Sequence, residues 1–196
     1  MSQADGDFNG DSIPDTLTVY GTGTTTQPSP YHVQIELGDS KGAVDTAIVD
    51  AATDNTQVVK ALGGADITAS AGSPPDGSGA EAFVQVGSGA SASLVGVYQL
   101  VGCTLNRLVG PQGAQPSLFA IGGSVTHLDG LRCDGGLVKL SATSDDGVTY
   151  ETQETRLQVQ DGKFNLLGTP VTNTVDSSDA SLQSFSALDC VGVQSP

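Results

Sequence analysis

The lack of any uninterrupted helical stretch is the strongest constraint on what this chain can fold into. Glycine and proline occupy 26 and 9 of its 196 positions. These residues or β-branched runs interrupt nearly every window of about 11 residues, the length over which helical periodicity can be recognised. Helical turns are expected only near residues 54–62 and 178–188; the second has candidate N-caps at Asp176, Ser177 and Ser178. The chain is therefore expected to be built from strands.

Alternation of apolar and polar residues recurs along the chain and predicts half-buried strands. Asp-Gly and related turns at 133–136, 145–147 and 160–163 each precede one of these segments and predict three successive hairpins. Together the hairpins predict an antiparallel meander over 125–167. The predicted strands are 15–20, 32–37, 46–51, 82–86, 93–100, 105–109, 117–121, 136–142, 149–159 and 163–167.

These patterns predict an all-β fold in one domain, 1–196, made of antiparallel meanders with few or no helices. Three loose repeats that start about 60 residues apart would allow propeller-blade-like units, although such repeats are usually shorter. Three blades do not usually close a ring, so a compact sandwich is the preferred architecture. The Ser/Gly/Pro-rich segment 69–79 is expected to be a flexible loop.

The charge balance excludes some partners. Seven Lys and Arg residues face 22 Asp and Glu residues, which gives a net charge of -15. Such a chain repels phosphate backbones, so no nucleic-acid binding is expected. No apolar run is long enough for a transmembrane segment, and the first residues lack the pattern of a signal segment, so we expect neither in this chain. The acidic, lysine-poor composition resembles that of exported bacterial proteins, so we expect an extracellular or cell-surface location.

The three cysteines, Cys103, Cys133 and Cys190, allow one disulfide and one remaining thiol. Such a bond would persist in an oxidising compartment. Cys133 with Cys190 is the favoured pair because both have apolar neighbours and the bond would hold the C-terminal segment. It would close a loop of roughly 57 residues, worth up to about 4 kcal/mol. Cys103 with Cys133 is the rival pairing, and three buried reduced thiols are the further alternative.

The N-terminal loop (residues 5–15) is the most informative motif. Side-chain oxygens recur at alternate positions in Asp7, Asn9 and Asp11, and Asp15 follows after a gap at Ile13. Ca²⁺ takes about 6–8 oxygen ligands. These four side chains, with the backbone carbonyl of Ile13 and a water, could supply them. The spacing therefore predicts a structural Ca²⁺ site.

Residues 7–15, Asp-Phe-Asn-Gly-Asp-Ser-Ile-Pro-Asp, resemble the calcium loop of FG-GAP/VCBS-type repeats, in which the loop leads directly into a strand. Residues 16–20 provide that strand, whereas Ser12 stands where the family usually has Gly. The resemblance implies a calcium-stabilised β module of the kind found in secreted bacterial proteins. EF-hand and dockerin-like loops rank lower because position 12, counted from Asp7, is Thr18 rather than an acid.

A second Gly/Asp segment, 66–81, resembles this loop weakly, but its carboxylates do not have the spacing of ligands. With the other Gly/Ser-rich turns it resembles exported or lipid-anchored actinobacterial proteins of unknown function.

Catalytic patterns are weak. No G-x-S-x-G motif is present, and His32 and His127 are the only histidines, without the neighbours of a zinc site. We therefore expect a secreted or surface-attached, calcium-stabilised, non-enzymatic β module for adhesion or interaction with a protein or glycan. One alternative is an extracellular hydrolase, or its accessory domain, that uses paired carboxylates. The other is a structural subunit of a surface assembly, for which self-association is expected.

Overall fold

The computed structural model describes residues 1–22, 31–39, 42–48, 59–68, 79–110 and 117–196. Over these residues the chain forms strands and one short 3₁₀ helix, Ala180–Ser186. The strands are β1 (Ser2–Gly6), β2 (Asp15–Gly21), β3 (Tyr31–Glu36), β4 (Ala43–Ile48), β5 (Lys60–Ala65), β6 (Glu81–Ser88), β7 (Ala92–Val101), β8 (Thr104–Arg107), β9 (Phe119–Ser124), β10 (His127–Cys133), β11 (Leu137–Thr143), β12 (Thr149–Gln160), β13 (Lys163–Leu166), β14 (Val171–Asp176) and β15 (Leu188–Asp189).

The strands form two sheets. The small sheet has the order β1-β2-β3-β4 and is antiparallel throughout. The main path of the large sheet is β13-β12-β11-β10-β9-β7-β6-β5, with β14 beside β12, β8 beside β7 and a parallel β15 beside β10. The predicted all-β, antiparallel fold is confirmed, and β10 to β13 form the predicted meander. The Asp-Gly turn between β12 and β13 has positive φ at both Asp161 and Gly162, as a tight hairpin requires.

The two sheets pack face to face, which makes the architecture sandwich-like. The inward side chains of the small sheet, such as Leu17 and Ile35, share a core with Val84 and Tyr98 of the large sheet. A second core joins both ends of the large sheet, because Leu62 of β5 and Phe164 of β13 belong to one cluster. The large sheet therefore curls over itself, and its strands do not divide into separate blades.

The 3₁₀ helix covers the outer face of the meander. Leu182 and Phe185 are buried against a third cluster that includes Leu140 and Tyr150. Helical structure near 178–188 is confirmed, but the N-cap differs from the prediction. Asp179 caps the helix by accepting a hydrogen bond from the Ser181 N–H at 2.8 Å.

Other expectations need correction. The helical turn expected near 54–62 is wrong where it can be compared, because residues 60–62 belong to β5; residues 54–58 lie outside the described part. The 46–51 strand begins earlier, at Ala43, and residues 49–51 are likewise not described. The 69–79 loop also lies outside the described residues, except for Gly79. Finally, the first two residues of the N-terminal loop belong to β1, since Asp5 and Gly6 pair with β2.

Candidate functional site

The N-terminal loop wraps around the carboxylate of Asp7. Its Oδ1 accepts hydrogen bonds from the backbone N–H groups of Gly10 (2.8 Å) and Asp11 (3.1 Å), and its Oδ2 accepts one from Ser12 (2.9 Å). Gly10 and Ser12 have φ values of 76° and 65°, in the left-handed region that permits so tight a turn. Ser12 thus adopts the backbone conformation for which glycine, the usual residue of the resembled family at this position, is best suited.

Asn9 and Asp11 continue the turn on its exposed side. The amide oxygen of Asn9 accepts from the Asp11 N–H at 3.0 Å, and Asn9 Nδ2 donates to Asp11 Oδ2 at 3.0 Å. Asp11 Oδ1 in turn accepts from the Ile13 N–H at 2.8 Å. Three predicted ligand side chains, Asp7, Asn9 and Asp11, are thereby collected in one short run of hydrogen-bonded turns.

Asp15 has a different environment, because it is 1% exposed at the start of β2. Its Oδ2 accepts from the Phe8 N–H at 2.8 Å and its Oδ1 from the Gly38 N–H at 2.9 Å. The carboxylate therefore joins the N-terminal loop to the end of β3. Two charge-assisted bonds of this kind satisfy backbone donors that have no ladder partner.

The loop is attached to the large sheet through Phe8, whose side chain is fully buried. A Cβ atom added at Gly6 or Gly64 would lie 2.6 Å from the ring, and one added at Gly79 would lie 2.4 Å from the Phe8 backbone. The Asp7 carbonyl also accepts a 2.7 Å hydrogen bond from the Ala80 N–H. These glycines form a cradle that only residues without a side chain can provide. Sequence reasoning missed this contact because position 8 is a variable position of the calcium motif.

The donor set of the N-terminal loop is chemically suited to Ca²⁺, since it consists of carboxylate, amide and backbone carbonyl oxygens. A carboxylate oxygen that accepts a single N–H keeps a second lone pair, whereas Asp7 Oδ1 already accepts two N–H groups. Within the described ranges, no group of three or more His, Cys, Asp or Glu side chains is arranged to hold a metal ion. The loop carboxylates point toward backbone N–H groups, so a cation would have to share these oxygens or draw them inward.

Glu81 is a buried acid close to the cradle and was not predicted. It is 1% exposed; its Oε2 accepts from the Ile67 N–H and its Oε1 from Gln99 Nε2, both at 3.1 Å. Burial raises the pKa of Glu81 to about 7, although the two hydrogen bonds oppose the shift and nearby Asp66 adds to it. Glu81 follows Ala80 directly in the chain. Ionisation of Glu81 would therefore destabilise the start of β6, next to the Ala80 N–H that bonds to the N-terminal loop.

A second acidic feature is the acidic hairpin turn (residues 144–149) between β11 and β12. Asp146 Oδ1 accepts from the N–H groups of Thr149 (3.0 Å) and Val148 (2.8 Å) and from the Ser144 hydroxyl (3.1 Å). These bonds hold the pKa of Asp146 below its ordinary value. The turn borders an open pocket of about 270 Å³, whose other acids are Asp145 and Glu151. The sequence predicted the hairpin but not the pocket.

Both histidines contact an aspartate on an exposed sheet face. His32 Nδ1 lies 2.7 Å from Asp45 Oδ1, and the Tyr20 hydroxyl donates to the other oxygen of Asp45. That bond is the main reason why the pKa of Tyr20 is raised. The rings of Tyr20 and His32 stack with centroids 5.3 Å apart. His127 Nε2 likewise lies 2.6 Å from Asp129 Oδ2.

The structure joins Cys133 to Cys190 in a disulfide with Cα atoms 4.8 Å apart, the pairing favoured over Cys103 with Cys133. Cys190 is buried in the core that unites both ends of the large sheet. Just beyond it, the Gln194 N–H donates to the Leu62 carbonyl at 2.8 Å. The disulfide thus ties the C-terminal segment to β10, and the hydrogen bond of Gln194 holds it against β5. Cys103 is a free, exposed thiol.

Comparisons with protein-family models, curated proteins and solved structures found no match to this chain. The FG-GAP/VCBS resemblance therefore stays a prediction that rests on the N-terminal loop. In the part of the chain that the structure describes, no helix has the length and apolar character needed to cross a membrane.

Proposed function

We propose that this chain is a secreted or surface-attached, non-enzymatic β module for adhesion or interaction with a protein or glycan, and that Ca²⁺ stabilises its N-terminal loop. The ligands are the side chains of Asp7, Asn9, Asp11 and Asp15 and the backbone carbonyl of Ile13. The observation that carries the proposal is the loop closed around the Asp7 carboxylate, with Ser12 in the left-handed conformation. A cation bound there would offset the repulsion among clustered carboxylates, so its binding would also favour folding.

The disulfide supports the location. A bond between Cys133 and Cys190 persists in extracellular and periplasmic compartments and is rare in the cytosol. The net charge of -15 also suits a solvent-exposed protein that stays apart from nucleic acids.

The hydrolase alternative needs a carboxylic acid with a raised pKa that faces a substrate cleft. Glu81 has the raised pKa, but it is almost fully buried and bonded to Ile67 and Gln99. Asp146 faces the pocket at the acidic hairpin turn, but its pKa is lowered, which favours the ionised form. Neither acid combines the two properties, and this favours the non-enzymatic proposal.

Thermal unfolding tests the calcium site. With a dissociation constant in the weak extracellular range, about 10 mM Ca²⁺ should raise Tm by roughly 3–11 °C over a chelator-treated sample. Mg²⁺ and NaCl at matched ionic strength are the controls, because any cation screens the negative surface.

A pair of variants localises the effect. Asp11→Asn keeps an oxygen to accept the Ile13 N–H but removes a ligand charge, so the Ca²⁺-specific rise should be lost. Asp145→Asn makes the same change at the acidic hairpin turn and should retain the rise. Equal shifts with Ca²⁺ and Mg²⁺, no shift, or the same response in both variants would reject the N-terminal loop as the site.

A further inference from the structure

Strand β14 presents an open edge of the large sheet. It shares one edge of β12 with β13: residues 149–154 of β12 pair with β14, and residues 157–160 pair with β13. The other edge of β13 is occupied, because Val109 exchanges hydrogen bonds with Gly162 and Phe164. No residue of the described part of the chain pairs with the other edge of β14.

The backbone direction along β14 identifies the groups on this open edge. The Ser177 N–H donates to the Val148 carbonyl at 2.7 Å, and the Thr152 hydroxyl donates to the Asn173 carbonyl at 3.1 Å. Odd-numbered residues of β14 therefore direct their backbone groups toward β12. Since this direction alternates in an antiparallel ladder, Thr172 and Thr174 direct their N–H and C=O groups outward.

The central part of β14 lacks the features that usually protect an edge, although Pro170 precedes the strand and Asp176 ends it. Residues 171–175 include no charge, no proline and no bulge, and four of these five side chains are exposed. The Val171 side chain, which is apolar, is 58% exposed. Natural sheets usually blunt such an edge with lysine, proline or a bulge, because an uncovered edge pairs readily with another strand.

The sequence of the strand indicates what covers it. Val171-Thr172-Asn173-Thr174-Val175 reads identically in both directions. Antiparallel pairing of two such strands about Asn173 places Thr opposite Thr and Val opposite Val, which are favourable cross-strand pairs. Asp176 then lies opposite Pro170 of the second copy, so no like charges face each other in the strand pair.

We propose that two copies of this chain associate through β14, antiparallel and about a twofold axis at Asn173. The N–H and C=O groups of Thr172 bond to those of Thr174 in the second copy, and the two large sheets become continuous. Val175 packs against the cluster beneath the 3₁₀ helix, so Val171 of the second copy extends that cluster. The interface is isologous, as in most homodimers, and it does not depend on the calcium proposal.

The charge of the chain adds a condition to this association. Each copy carries a net charge of -15, so the two copies repel over distances that salt screens. The dimer should therefore strengthen as ionic strength rises. A calcium-driven contact would instead respond to Ca²⁺ rather than to Na⁺ at the same ionic strength.

Sedimentation equilibrium over a range of protein and salt concentrations tests the proposal, with Cys103 alkylated to prevent covalent dimers. Asn173→Asp places two carboxylates opposite each other at the axis while changing one exposed side chain of the monomer, and it should weaken dimerisation by roughly twofold to fivefold. Asn165→Asp makes the same change on exposed β13 and is the matched control. A monomer at every concentration, or equal weakening by both variants, would overturn the proposal.

Hydrogen exchange gives a second readout on the unmodified chain. At high protein concentration the outward amides of Thr172 and Thr174 should become protected, whereas the Asn173 amide, already bonded to β12, should not change. If the outward amides exchange freely at all concentrations, or are protected only when an extended peptide is added to a monomeric chain, self-pairing is wrong.

Discussion

The N-terminal loop and the acidic hairpin turn are made from the same residue types but are held in different ways. In the acidic hairpin turn, every bond to Asp146 comes from within three residues along the chain. In the N-terminal loop, the bonds to the Asp7 carboxylate come from within five residues, but Phe8 packs against β5 and Asp15 binds the turn after β3. Hydrogen bonds from nearby residues to an aspartate carboxylate therefore close both turns, but only the N-terminal loop is also anchored in the hydrophobic core.

Removal of the Phe8 ring should have the largest effect. Phe8→Ala empties the glycine cradle and should reduce the free energy of unfolding by about 3–5 kcal/mol. Denaturant unfolding measures the loss. Val148→Ala in the acidic hairpin turn removes an apolar side chain that is 54% exposed, and should change stability by less than about 0.5 kcal/mol. A similar loss of unfolding free energy in the two variants would contradict the conclusion that only the N-terminal loop is anchored in the core.

Glu81 should make the attachment of the N-terminal loop sensitive to pH. Its folded pKa of about 7 lies above the ordinary 4.5, so the folded state binds more protons between these values. Stability should therefore fall as pH rises through this window, by roughly 3 kcal/mol once Glu81 is ionised. Glu81→Gln should lose this slope because glutamine does not titrate. The Gln99 amide can turn to accept from the new side-chain amide, so the contact itself is kept.

The measurement is the difference in unfolding free energy between wild type and Glu81→Gln from pH 4 to pH 9. The difference cancels the titration of the many surface acids that both proteins share. Parallel pH profiles would show that Glu81 does not bring about the change.

Asp15 should have an intermediate effect. Asp15→Asn keeps one oxygen acceptor but leaves either the Phe8 or the Gly38 N–H without its partner in a buried site. The expected cost is about 1–3 kcal/mol in denaturant unfolding. Amide exchange at Phe8 and Gly38 should also accelerate. Unchanged exchange at both amides would argue against the link between loop and β3.

Asp146 should have the smallest effect. Asp146→Asn keeps Oδ1, the atom that accepts all three local bonds, so only the benefit of its charge is lost. Because the folded pKa of Asp146 is lowered, that benefit exists at neutral pH and disappears as pH falls through the folded value. A small Tm difference at pH 7 should thus vanish in acid. A difference that persists or grows in acid would contradict this assignment.

A strand could be predicted from the sequence where its buried apolar residues alternate with exposed polar residues. β3 and each half of β12 bury alternate residues, so their period of two was visible. β5 buries residues on both faces and β14 exposes nearly all of its residues, so neither alternates. β10 was implied only by the meander and the turn that follows it, because its Asp-Gly pair interrupts the alternation of its own residues. Gly130 is needed there because a Cβ would lie 2.6 Å from the Ser184 carbonyl oxygen of the overlying helix.

The residues of the candidate site also differ in whether they could be predicted from the sequence. The spacing of Asp7, Asn9 and Asp11 located the turn, because its bonds are local. Phe8, Glu81 and the second role of Asp15 could not be predicted, since their partners are distant strands that no local pattern specifies.

The disulfide also determines how the chain would bear a mechanical load. A tension applied between the two ends passes from β10 across the sulfur–sulfur bond to Cys190, so the segment between Cys133 and Cys190 is bypassed. That segment contains β14 and the acidic hairpin turn, which would keep their shape under force. The elements on the N-terminal side of Cys133, including the N-terminal loop, are not bypassed by a covalent bond and would bear the load first.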